Sequence, residues 1–187
     1  MPNPYSTLEN DLPAKLNNIQ HDITSPFSIS GRFGRYSFLA WNFVLNLVVM
    51  IIAFAILVAM GTNKDLMTIN NPDQIMAFYA SGAGLVVLAI MLVSFVISMI
   101  FFIRRLHDIN MSGWFSLLII IPFINILFGI FVFSKKGTEG TNRFGPKRIT
   151  ATWEKVVGII SLILIGFYLI FFVGEIIMSI TVTGNLQ

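Results

Sequence analysis

The sequence predicts an all-α integral membrane protein: a helical bundle of three full transmembrane helices plus a proline-broken third apolar segment that is re-entrant. Four full transmembrane helices are the alternative. Three observations carry this. Of 187 residues, 56% are apolar and only 11% charged, against about 25% charged in soluble domains. Several uncharged runs exceed the roughly 20 residues that a helix needs to cross about 30 Å of hydrocarbon. The third observation is the placement of Lys and Arg around those runs.

Residues 1–30 form a polar N-terminal arm broken by Pro2, Pro4, Pro13 and Pro26, and the segment 31–187 is a single membrane domain. The arm lacks the basic start and immediate apolar core of a signal peptide. Within it, Leu12, Leu16, Ile19 and Ile23 recur at helical spacing and suit a short surface helix, on which His21 is a solvated residue. Residues 36–60 then run 25 long without a charge and make the first membrane helix. Tyr36 and Trp41 lie near its start, where aromatic rings favour the headgroup layer.

A turn-rich loop follows, in which Asp73 is placed to cap the next helix. Residues 74–103 are 30 long and uncharged, and Ala77, Ala80 and Gly84 give that helix a face for close approach by another. Arg104 and Arg105 end it with charges that suit a helix C-terminus. Asn110 tolerates the left-handed backbone that closes helices, and Ser112 can cap what begins at Gly113. The third run, 113–134, has Pro122 at its middle and Asn125 just after. A basic connector, 135–155, leads to the last helix, about 156–183, whose first turn is served by Thr152 and Glu154.

Four plain crossings would set Lys15, Arg32, Arg35, Arg104 and Arg105 on one side, five cations against seven on the other. Cytoplasmic loops carry an excess of Lys and Arg, and this split has none. If segment 113–134 enters, reverses near Pro122 and leaves on the same side, the count becomes eleven inside and one outside. Proline cannot continue the helical ladder, and each half reaches about halfway through the bilayer at 1.5 Å per residue. The N-terminus is then cytoplasmic, and the loop at 104–112 meets the connector on one face.

Four ordered motifs carry a resemblance: GRFGR at 31–35, RRLHDINMSGW at 104–114, IPFIN at 121–125 and GTEGTNRFGP at 137–146. Over about residues 27–148 the chain resembles the small bacterial inner-membrane proteins of the family known as domain of unknown function 805. The family often has glycine where Asn110 and Asn125 stand, so both turns differ here in detail. The resemblance implies a bacterial cytoplasmic membrane, no settled activity, and a link of some members to envelope integrity or stress tolerance.

Chemistry is sparse. With no cysteine, disulfides, thiolate metal sites and a Cys nucleophile are excluded. No nucleotide loop, metal-spaced cluster or nucleophile constellation is present, so neither cofactor nor metal is implied, and no basic soluble module exists to bind nucleic acid. His107 and Asp108 could act as proton carrier and partner only if the helix has ended before them, because adjacent helical residues do not face each other. Asp108 stands four residues after Arg104, which permits an ion pair across one turn. Arg32, Arg35, Arg104, Arg105 and Arg143, with Trp114, His107, Asp108 and Asn142, make an interfacial set suited either to fixing the structure or to gripping anionic phospholipid headgroups, since the guanidinium fork matches phosphate. Glu175 is the one ionisable residue deep in an apolar run, a candidate by default for ion or solute movement.

The sequence thus favours a non-enzymatic membrane protein that binds anionic phospholipid and supports envelope integrity. Its alternative is a small transporter or channel using the broken helix and Glu175. A lipid-headgroup enzyme comes third. Self-association through the small-residue face stays open.

Overall fold

The computed structural model describes residues 21–22, 24–61 and 71–184; most of the surface helix expected in the arm lies outside them. The elements are α1 (Arg35–Ala59), α2 (Pro72–Ala80), α3 (Gly82–Asp108), a 3-10 helix (Gly113–Ile120), α4 (Ile124–Ser134) and α5 (Thr152–Gly184). Among the described residues there is no strand, only a bridge between Asn142 and Gly145. α1, α3 and α5 are long and apolar enough to cross a membrane. The described residues are all-helical in their regular structure, with three long apolar helices and a shorter, broken apolar segment.

Two compact units divide it. One joins the chain up to Gly34 with Phe102–Ile149, and the other joins Arg35–Phe101 with Thr150 onward. The residues before Gly31 that the sequence sets apart as an arm, from His21 on, therefore belong to the same unit as the motifs.

In the second unit α1 packs on α5 through small residues. Ser37 and Ala40 are buried on α1, Ser161 on α5, and a Cβ at Gly158 would stand 2.8 Å from the Tyr36 carbonyl oxygen and 3.1 Å from its Cα. Close backbone approach of this kind drives helix association where lipid competes for apolar contacts. Glu154, fully buried, clasps the pair. Its Oε2 accepts from Ser37 Oγ at 2.8 Å and from the Ala151 N–H at 3.1 Å, and its Oε1 accepts from Trp41 Nε1 at 2.7 Å. Trp41 meets Trp153 edge-on at 5.4 Å and Phe101 at 6.1 Å. Trp41 is thus a packing residue as well as an aromatic near a helix start.

The single helix expected over 74–103 is two. Ser81 has ψ 161, which ends α2, and its hydroxyl oxygen accepts from the Gly84 N–H at 3.2 Å, capping α3. A Cβ at Gly84 would fall onto the backbone of Phe78 and Tyr79, so this glycine serves the corner. At the start of α2 the cap is Asn71, whose side chain accepts from Gln74 N, followed by Pro72 in the first turn. Asp73 lies inside that turn instead, because proline's fixed φ suits the first helical position, which sets the cap at Asn71, two residues before Asp73.

In the first unit, segment 113–134 is broken into the 3-10 helix and α4, of 8 and 11 residues. Between them Phe123 takes φ 66, ψ −45, and the Ile124 N–H donates to the Pro122 carbonyl at 2.8 Å. That is a γ-turn of the rare positive-φ kind. Gly113, at one end, lies against α3, since a Cβ there would be 2.9 Å from Ile103 Cγ2. At the other end Arg105 Nε donates to the Val132 carbonyl at 3.1 Å, and Nη2 to that of Lys135. Both ends therefore close on the last turns of α3, and the segment is a hairpin.

Candidate functional site: a buried charge cluster

The cluster begins from the geometry of a helix end. Arg104 and Arg105 follow each other at about 100° around α3, so one faces the N-terminal stretch and the other the hairpin. Arg32, Arg104 and Arg105 are all fully buried. Buried guanidinium groups require counter-charges and acceptors, and each finds them within the protein.

Asp108, 3% exposed, bridges two of them. Its Oδ2 accepts from Arg105 Nη1 at 2.6 Å, and its Oδ1 from Arg32 Nη2 at 3.1 Å. Arg32 also donates to the carbonyls of Gly140 (2.6 Å) and Thr138 and to the Thr138 hydroxyl (3.0 Å). Thr138 in turn donates from its N–H to the Asp108 carbonyl at 2.8 Å. Gly137 is required beside it: a Cβ there would lie inside the Asp108 carboxylate, 2.6 Å from Cγ. One carboxylate thus ties the GRFGR stretch, the end of α3 and the connector.

Arg104 pairs with Asp22 rather than with Asp108 as its spacing suggests. Its Nη2 is 3.1 Å from Asp22 Oδ2 and 3.0 Å from Thr24 Oγ1, and Nη1 donates to the Ser25 carbonyl. The guanidinium lies over the Phe33 ring at 4.3 Å, a cation–π contact. Asp22 Oδ2 also accepts from the Arg32 N–H at 2.7 Å, and Oδ1 from the Thr24 N–H at 2.8 Å. Burial pushes the Asp22 carboxyl up, but the Thr24 hydroxyl, the N–H groups of Arg32 and Thr24 and the Arg104 charge outweigh it and hold it below the ordinary value. Gly31, at φ 92, leaves room for this pair, since a Cβ there would strike Asp22, Thr24 and Arg104.

His107 and Asp108 are not brought together as acid and base. His107 Nδ1 is 3.3 Å from the Gly31 carbonyl oxygen, and its ring stacks on Phe144 at 3.8 Å and 7°. Asn142 donates to the His107 carbonyl and to Thr138 Oγ1, each at 2.8 Å, and Arg143 donates to the Asn110 carbonyl at 3.1 Å. Asn110 takes the left-handed conformation at φ 62, as its side chain allows. Trp114 is 81% exposed. Arg35 opens α1, exposed, in the other unit. Glu175 sits on a stretch of α5, 167–181, in which every residue is exposed. His21 is exposed, with Nδ1 3.4 Å from the Lys147 carbonyl oxygen. Among the described residues no group of three or more His, Asp or Glu side chains could hold a metal.

The buried forks are thus occupied, and the outward charge lies on the connector. Lys135, Lys136, Arg143 and Lys147 are exposed there. Glu139 meets Lys136 at 3.0 Å and Lys147 at 3.1 Å, and these two ammonium groups hold its carboxyl below the ordinary range. Asp22 and Thr138 are the participants that the sequence does not single out. For Thr138 the signal is its place within a recognisable motif, and for Asp22 there is none beyond a lone acid beside a turn.

The motifs that build the cluster all lie within residues 26–146, which match the family described as Protein of unknown function (DUF805). The chain belongs to this family. Similar proteins include the inner membrane protein YhaH of Escherichia coli (strain K12), 54% identical over 43 residues, and the inner membrane protein YhaI of the same strain, 49% identical over 43 residues. Each match covers 23% of this chain and 36% of the relative, so the chain spans about a third of their length. No solved structure matches.

Proposed function

We propose that this protein is a bacterial inner-membrane scaffold whose rigid basic face, cytoplasmic by the placement of Lys and Arg, binds anionic phospholipid headgroups and so supports envelope integrity. The inner-membrane part of this reading follows the names of the E. coli relatives and the three apolar helices. One observation carries the rest: the connector displays Lys135, Lys136, Arg143 and Lys147 outward while its backbone is pinned to α3 by Arg32, Asp108 and Thr138. Four cations against the one carboxylate of Glu139 attract an anionic leaflet, at about 1 kcal/mol per cation near the surface. Arg104 and Arg105 act behind this face, as its frame, since their donors are turned to protein oxygens.

The test is lipid retention by the purified protein from mixed phosphatidylglycerol, phosphatidylserine and phosphatidylcholine vesicles. The expected result is enrichment of one anionic lipid over the other at equal charge, lost in Lys135→Gln with Arg143→Gln and strengthened in Glu139→Gln. Equal retention of all three lipids removes the proposal. Structural integrity of each variant is followed separately by helical content.

A further inference from the structure

α1 carries two amides at membrane depth, Asn42 and Asn46, four residues apart and therefore one above the other on a single helix face. Asn46 comes eleven residues after Arg35, which opens the helix, and so lies about 16 Å along it at 1.5 Å per residue. That is close to the middle of about 30 Å of hydrocarbon. Each amide uses one N–H on its own helix. Asn42 Nδ2 donates to the Phe38 carbonyl at 2.9 Å, and Asn46 Nδ2 to the Asn42 carbonyl at 2.7 Å. Among the described residues, Oδ1 and the second N–H of each amide have no partner. Asn46 is exposed, and no residue of α1 beyond Ala40 is buried, so this face is open to whatever surrounds the helix.

Lipid cannot complete these bonds, because the bilayer core holds no water to pair with polar groups, and an amide without partners there is costly. A carboxamide is its own complement. It presents donor and acceptor side by side, so two of them facing each other close two hydrogen bonds at once. Two copies of this chain inserted in the same direction carry Asn46 at the same depth. A two-fold axis along the membrane normal then brings each Asn46 to its counterpart, the self-complementary arrangement of an isologous dimer. We infer that the face of α1 bearing Asn42 and Asn46 is a homodimer interface, closed by reciprocal hydrogen bonds between the paired amides of two copies. Val49 and Ala53 continue the face at steps of three and four residues, the a and d pattern of a helix–helix seam, and Ala53 is small enough to permit close approach. The interface is independent of the headgroup face proposed above and is tested separately.

The experiment uses the full chain in phosphatidylcholine vesicles over a range of protein-to-lipid ratios, labelled with donor or acceptor dye at Gln74→Cys, with energy transfer as the readout. Transfer that follows a monomer–dimer equilibrium is expected. Asn46→Leu should weaken dimerisation about tenfold, the order of two interhelical hydrogen bonds in a membrane, and Asn42→Leu combined with it should weaken dimerisation further. Asn46→Gln keeps the carboxamide and should retain the dimer, which separates loss of the amide from loss of the fold. In the otherwise cysteine-free chain, Met50→Cys, exposed one turn beyond Asn46 on the same face, should give a disulfide-linked dimer. Val48→Cys, exposed on the opposite side of α1, should not. A protein that stays monomeric at every ratio overturns the inference. So does a dimer that the Asn42→Leu, Asn46→Leu variant forms at full strength, or one that cross-links through Val48→Cys and not through Met50→Cys.

Discussion

Replacing Asp108 by Asn removes one negative charge from between two fully buried guanidinium groups while leaving the shape of the side chain almost unchanged. In the native protein its two oxygens lie 2.6 Å from Arg105 Nη1 and 3.1 Å from Arg32 Nη2. Breaking a buried pair by deleting one partner costs about 3–5 kcal/mol, because the remaining charge is left uncompensated. Both arginines keep carbonyl acceptors, Arg32 at Thr138 and Gly140 and Arg105 at Val132 and Lys135, which places the expected loss near the lower bound. About 3 kcal/mol corresponds to roughly a hundredfold shift in the folding equilibrium. The assay is reversible unfolding in mixed micelles, followed by Trp114 emission in a Trp41→Phe, Trp153→Phe background, so that the unit holding the cluster is the one observed. A companion Arg105→Gln, Asp108→Asn double variant should cost clearly less than the sum of its singles, since the two residues share one interaction. A loss below about 1 kcal/mol, in the range of exposed ion pairs, would refute the reasoning, because it would mean that the cluster is a solvated face rather than a buried joint.

Gly137→Ala drives a methyl group into a carboxylate that two arginines hold still, so it should destabilise by about 1–3 kcal/mol, the range for overpacking. Gly140→Ala, at φ 65 in open space, should cost only the left-handed backbone penalty of about 1–2 kcal/mol, and a cost of Gly137→Ala below about 1 kcal/mol in the same unfolding assay would contradict the packing argument. Asp22 has a lowered carboxyl pKa in the folded protein, so the unfolded chain binds more protons around pH 4 and stability rises with pH there. Its contribution is present above the ordinary carboxylate value and lost as pH falls through the lowered one. Asp22→Asn should flatten that acid limb of a stability profile, and an unchanged limb would count against the Asp22–Arg104 pair. Glu154→Gln leaves three donors facing a single side-chain acceptor, at a cost of about 1–3 kcal/mol, with a red shift of Trp41 emission as the local signature; no shift would mean that the contact from Trp41 to Glu154 is dispensable.

Much of the architecture is legible because the membrane simplifies the code. A run of 25 uncharged residues such as 36–60 has few fates besides a spanning helix, and Pro122 marks where the third apolar segment breaks. The break at Ser81 is not legible in the same way: a serine followed by glycine within an apolar run is compatible with a continuous helix, and the corner depends on the backbone of Phe78 and Tyr79 approaching Gly84. The cluster divides similarly. Its basic members stand out as arginines beside apolar runs, but their partners are set by tertiary structure. Arg104 and Asp108 satisfy the one-turn spacing, yet Arg104 turns to Asp22, 82 residues away, and Asp108 takes Arg105 and Arg32. The same long-range pairing converts arginines that look suited to lipid phosphates into a frame whose donors are turned inward. Glu154 reads as a dipole partner for α5, whereas burial against Ser37 and Trp41 makes it a joint between helices.

The most direct test of the account is the sidedness of the two segments that the cluster joins. Met111→Cys, in the loop after α3, and Thr141→Cys, exposed in the connector, can be probed singly with a membrane-impermeant thiol reagent in intact bacterial cells, because the chain has no cysteine of its own. Gln74→Cys, exposed at the start of α2, reports the opposite side. The hairpin predicts that Met111→Cys and Thr141→Cys are both shielded until the cells are opened while Gln74→Cys is labelled from outside. Labelling of Thr141→Cys from outside, with Met111→Cys shielded, would place the connector across the membrane from the end of α3 and contradict the joint built by Arg32, Asp108 and Thr138.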